Sequence, residues 1–110
     1  MSSHLRKCLP MLQSFCAIKS KRQKALFLKH FEACILKAAQ EMSVNTLRGN
    51  VYMTGHQKAK LKRYKKALMS LSQHKVPKKS RRKIILQSGS GLFPLLLPLV
   101  LSAVSALGKG

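Results

Sequence analysis

Sixteen consecutive residues without a charge, Leu92 to Leu107, follow a stretch in which Lys78, Lys79, Arg81, Arg82 and Lys83 stand within six positions. Together these halves restrict the fold more than anything else in the chain. The apolar run must be covered, and the cations must stay near water or an anion. Helical throughout, the run would be roughly 24 Å long at ~1.5 Å per residue, short of a hydrocarbon core of about 30 Å. Pro94 suits a first helical turn, whereas Pro98 removes a helical hydrogen bond and predicts a bend. Beyond it, Ser102, Ala103, Ser105 and Ala106 offer a small-residue face for close helix packing.

The 110 residues hold 22 Lys+Arg against 2 Asp+Glu, a net charge of +20. A chain this short buries only about two-thirds of its unfolded surface when it folds. Like charges oppose even that compaction until a polyanion neutralises them. Nucleic acid or an anionic membrane surface is therefore the expected partner, with partial disorder in its absence. Cys8, Cys16 and Cys34 are odd in number and follow no zinc-ligand spacing, which predicts reduced thiols in an intracellular protein.

Periodicity predicts an all-α fold, a small helical hairpin or three-helix bundle. Leu5, Leu9, Leu12, Phe15 and Ile18 recur at helical steps in the first twenty residues, with Pro10 as the interruption. The early lack of acids permits a mitochondrial presequence, but the cations are mostly lysine where such leaders use arginine. From Lys21 to Met42 a single helix is expected, with Leu28, Phe31, Ile35, Ala38 and Met42 on one stripe. Ser43 to Gly55 is rich in turn formers, and within it Val51 to Met53 can sit extended. Thr54-Gly-His-Gln57 has the form of a capping box and starts a further helix, to about Gln73, with Leu61, Tyr64, Leu68 and Leu71 as its seam.

Chemistry is almost absent. Glu32 and Glu41 are the only carboxylate side chains, so paired-carboxylate catalysis and oxygen-ligand metal sites are excluded. His4, His30, His56 and His74 lack metal-ligand spacing, and Cys34 beside His30 reads as an ordinary helix neighbour. No Gly-rich phosphate loop occurs. Neither an enzyme nor a cofactor or metal site is expected.

Binding remains. From Gln57 to Gln87 there are twelve cations and no acid: Lys58, Lys60, Lys62, Arg63, Lys65, Lys66, Lys75, Lys78, Lys79, Arg81, Arg82 and Lys83. Solvated helix faces normally mix signs, and this one does not. Neutralising about 6–10 phosphates would weaken binding ~10³–10⁵-fold between about 50 and 200 mM salt. Such contacts position without reading sequence. Aromatics lie in the apolar seams, which favours the double-stranded backbone over a base-stacking platform. Pro77, Lys78, Lys79, Arg81, Arg82 and Lys83 also have the form of a nuclear localisation signal.

The stretch Gly91-Leu-Phe-Pro-Leu-Leu-Leu-Pro-Leu-Val-Leu-Ser-Ala-Val-Ser-Ala-Leu-Gly108 resembles the C-terminal region of the adenovirus core protein X family, the precursors of the mu peptide. That family joins a cationic DNA-condensing segment to a Gly-rich junction and then to a Leu- and Pro-rich tail. Lys60 to Gly91 also resembles small basic proteins of adintoviruses and of Polinton (Maverick) elements. The resemblance implies a viral core protein in the virion and host nucleus, bound to packaged double-stranded DNA. It implies capsid proteins and a viral protease as further partners. The family's basic block is arginine-rich where this one is lysine-rich. Its protease pattern has two glycines, which Gly89 and Gly91 match, and a hydrophobic residue where Gln87 stands instead; on the glycines, Gly89, Ser90 and Gly91 form the candidate cleavage hinge.

The expected organisation is a helical region over 1–55, a basic DNA-binding helix and arm over 56–88, a Gly/Ser hinge over 89–91 and a hydrophobic tail over 92–110. The tail is a short helix led by Leu92, Pro94, Leu95, Leu96, Pro98 and Leu99. It would serve self-association, capsid docking or membrane insertion. The competing reading is a membrane-active or tail-anchored basic protein whose lysines lie on anionic headgroups.

Overall fold

Ser3 opens a helix whose buried side chains are Leu5, Cys8, Leu9, Leu12 and Phe15, the predicted stripe with a cysteine added. The computed structural model describes residues 3–49 and 53–108, with side chains at all of these except 90 and 99–108. Its first helix, α1 (Ser3–Ala17), runs through Pro10 rather than stopping there. Pro10 and Arg6 are both exposed, so the ring faces solvent and water can take up the Arg6 carbonyl that a residue-10 amide would have bonded.

Helix α2 (Lys21–His30) begins at Ser20, whose hydroxyl accepts from the Gln23 amide at 3.3 Å. The single helix expected over Lys21–Met42 is in fact two. Phe31 turns out of helical geometry (φ −111, ψ 28), and α3 (Glu32–Leu47) starts after it. Hydrogen bonding continues across the turn, from the Phe31 amide to the Phe27 carbonyl and from the Ile35 amide to the Phe31 carbonyl, both at 3.0 Å. The apolar register therefore survives a change of axis. Phe31 packs on Phe27 and on the edge of His30, with centroid distances of 4.7 and 4.6 Å. Helix α3 buries Ile35, Leu36, Ala38, Ala39 and Met42 and packs against α1, α2 and two later helices. Its buried hydroxyls are satisfied within the helix: Ser43 donates to the Ala39 carbonyl at 2.7 Å and Thr46 to the Met42 carbonyl at 2.8 Å. Gly49 (φ 73) takes the left-handed conformation that closes such an end. The extended segment expected at Val51 to Met53 lies mostly outside the described residues.

The capping box is present. Thr54 Oγ1 accepts from the Gln57 amide at 3.2 Å, and Gln57 Oε1 accepts from the Thr54 amide at 2.9 Å. Helix α4 (Gly55–Leu61) passes through a 3-10 turn at Lys62–Tyr64 into α5 (Lys65–Leu71). Leu61, Leu68 and Leu71 are buried and Tyr64 is half-buried, so the seam holds through the overwound turn.

The last helix, α6 (Lys78–Gly108), joins regions expected to be separate. It runs unbroken through Gly89, Ser90 and Gly91. Among its described side chains Arg81, Ile85, Gly89, Leu92, Phe93, Leu96 and Leu97 are the buried positions, and Pro94 and Pro98 are exposed. The apolar side chains among these belong to the same core as Leu12, Phe15, Leu28, Ile35 and Leu68. The first part of the tail is thus a wall of the core. Among the described residues the fold is all-helical with no strand. Its radius of gyration is 13.2 Å, close to the ~13 Å of a compact domain of this length.

Candidate nucleic-acid interface

Ten of the twelve cations expected to bind DNA are exposed: Lys58, Lys60, Lys62, Arg63, Lys65, Lys66, Lys75, Lys78, Lys79 and Lys83. The first six stand on α4, the 3-10 turn and α5, away from the Leu61–Leu68–Leu71 seam that faces the core. Burying that seam is what holds the lysines outward. Both acids of the chain lie on α3, so none stands on α4, the 3-10 turn or α5.

Two of the twelve are engaged internally. Arg81 is only 8% exposed, and its Nε donates to the Val76 carbonyl at 3.1 Å, fastening the start of α6 to the preceding loop. Arg82 Nη1 lies 3.5 Å from Glu32 Oε2, and its Nε is buried with no hydrogen-bond partner among the described residues. Arg81 is thus held by the fold, while the Arg82 side chain stays 41% exposed beside its ion pair. Pro77, Lys78, Lys79 and Lys83 of the localisation-signal pattern are exposed, and Arg81 is not.

The fold also creates a second cationic surface, which the sequence pattern did not bring out. Leu86 and Gln87 of α6 separate two depressions. One, of 570 Å³, is lined by Lys19, Lys21 and Lys24, and the other, of 590 Å³, by Lys79, Arg82 and Lys83. Lys24 is 6% exposed, with its Nζ 5.0 Å from the Phe15 ring centroid, a cation–π geometry that orients it beneath the first depression. Lys19, Lys21, Arg22 and Lys24 cluster in the sequence. That density was a usable signal, overshadowed by the longer run after Gln57.

Gly89 and Gly91 mark where α6 crosses its neighbours. A β-carbon at Gly89 would stand 3.3 Å from both the Phe15 and Phe93 rings. At Gly91 it would run into the Tyr64 hydroxyl. Phe15 and Phe93 meet edge to face at 6.0 Å. Leu92 and Leu96 are buried and Leu95 is half-buried, while the side chain of Leu99 and the small-residue face over 102–106 lie outside the described side chains. Among the described residues no helix is long and apolar enough to cross a membrane.

The cysteines differ from expectation. Cys8 of α1 and Cys34 of α3 form a disulfide, with Cα atoms 5.5 Å apart. Nothing in their 26-residue separation announces this; they meet because α1 packs on α3. Cys16 is free, and burial pushes its thiol pKa up while Lys24 draws it part of the way down.

Comparison with protein-family models, with curated proteins and with solved structures finds no match.

Proposed function

We propose that this chain is a sequence-nonspecific double-stranded DNA-binding protein that neutralises and condenses DNA in a viral particle or virus-derived element. The observation that carries the reading is the run of ten exposed cations on α4, the 3-10 turn, α5, the following loop and the start of α6, with both acids confined to α3. Charge and size agree. The long dimension is 38 Å, and duplex DNA presents one charge per ~1.7 Å of axis, so a duplex of that length carries about 22 charges. The net charge of +20 nearly matches it. Of the three arginines in the basic stretch, Arg63 is exposed, Arg82 half-buried and Arg81 buried. Bidentate base recognition relies on arginine, while lysines act as point charges on phosphates. The surface is suited to backbone neutralisation without base reading.

The viral setting rests on the resemblance of residues 91–108 to the core protein X family. A Cys8–Cys34 disulfide accords with an oxidised particle more than with a reducing nucleus. Cleavage at 89–91 is disfavoured. The segment is helical, Gly89 is buried, and a protease would have to unwind α6 to reach it. Membrane insertion of the tail would withdraw Leu92, Phe93, Leu96 and Leu97 from the core, so no observation favours that reading. The test is anisotropy of the intact chain on two unrelated random duplexes, beside liposome flotation. Equal affinity for the two duplexes supports the proposal; preference for one duplex, or binding to vesicles alone, sinks it.

A further inference from the structure

His4 and Cys8 are four residues apart on α1 and so share a helix face, which α3 meets with Cys34. The His4 Nε2 and Cys8 Sγ atoms are 3.5 Å apart. All three donor atoms lie within 4.8 Å of one another, with Cys8 buried and the other two half-buried. We propose that, when Cys8 and Cys34 are reduced, they and His4 bind a thiophilic d10 divalent cation of the zinc type.

Bond lengths support the assignment. Zinc takes thiolate sulfur at ~2.3 Å and imidazole nitrogen at ~2.0–2.1 Å, so tetrahedral ligands stand about 3.5–3.8 Å apart. The His4–Cys8 distance already has that value. The remaining change is separation of the two sulfurs, which a side-chain rotation at half-buried Cys34 can supply. Two thiolates, one neutral imidazole and a dication sum to zero charge, so occupancy adds nothing to the repulsion of a +20 chain. A ligand set of two sulfurs and one nitrogen selects soft metals over magnesium or calcium. Three protein ligands leave a fourth position, open to water because His4 and Cys34 are only half-buried.

Disulfide and metal exclude each other. A small-molecule disulfide such as oxidised glutathione would take two electrons from the thiolates, forming the Cys8–Cys34 bond and expelling the metal. The oxidant takes up two protons and becomes two thiols. Each state fastens α1 to α3, the metal in reducing surroundings and the disulfide in oxidising ones.

The experiment is cobalt(II) titration of the full chain, reduced with a phosphine under anaerobic conditions, with far-UV circular dichroism on the same samples. Expected are one equivalent bound, the visible spectrum of tetrahedral cobalt(II) with thiolate charge-transfer absorption, displacement by zinc, and release by oxidised glutathione. His4→Ala leaves the disulfide able to form, yet weakens cobalt binding by roughly tenfold or more, at least the effect of losing a ligand's outer partner. Cys16→Ser binds as the parent does. The proposal is overturned if the reduced chain takes up no cobalt, whether or not it stays helical. It is equally overturned if His4→Ala binds undiminished or if Cys16→Ser abolishes binding.

Discussion

At Gly91 two effects of a methyl group oppose each other. Alanine in a helix interior is favoured over glycine by about 1 kcal/mol, while forcing a β-carbon against a packed neighbour costs typically ~1–3 kcal/mol. Here the neighbour is the hydroxyl of Tyr64. Gly91→Ala should therefore lower the melting temperature in the parent chain. In a Tyr64→Phe background, where the oxygen is gone and the ring carbon at 3.2 Å remains, the loss should be smaller. A flexible hinge at 89–91 predicts no dependence on residue 64. Cys16 supplies a second residue-scale test. Its thiol pKa is raised from 9.0 by burial, so the folded chain holds the proton more tightly than the unfolded one. The associated stability is fully present below about pH 9 and is lost as pH climbs through the raised folded value. Alkylation at neutral pH should accordingly be slower at Cys16 in the native protein than in denaturant, as mass spectrometry of timed samples would show.

At the scale of elements, the start of the tail carries a structural load that its sequence disguises. Leu96→Ala removes a fully buried side chain and should cost about 2–5 kcal/mol in urea melts, whereas truncating an external appendage would leave the midpoint unchanged. Loss of the Cys8–Cys34 bond by Cys8→Ser should cost on the order of 3–4 kcal/mol, from loop closure over 26 residues. Three helical seams were legible in the sequence, because Leu5–Phe15, Ile35–Met42 and Leu61–Leu71 each repeat at the period of the helix that buries them. The Thr54–Gln57 box was legible because both its hydrogen bonds are local. What escaped was non-local or register-preserving. The break at Phe31 leaves the hydrophobic spacing intact on both sides. The continuity of α6 depends on aromatic neighbours, Phe15 and Tyr64, that demand small residues where composition alone suggests flexibility. The disulfide, the pairing of Arg82 with Glu32, and the Lys19–Lys21–Lys24 depression all depend on which helix packs on which.

For the whole molecule, the central point is the separation of roles within one compact body. Apolar seams from every helix make a shared core, and the excess positive charge is left outside with both acids held on the central helix. Polyanion binding should then be a property of the folded surface rather than of a loose arm. Replacing Lys58, Lys60, Lys62, Lys65 and Lys66 with glutamine should leave the fold intact. It should weaken DNA binding uniformly across sequences and make the salt slope shallower by about 0.9 for each phosphate no longer neutralised. The most direct measurement is the affinity of the intact chain for random duplex DNA over a salt series. The account predicts a linear fall of log K with log salt, with a slope near −5 to −9 for about 6–10 neutralised phosphates. A slope near zero would contradict it.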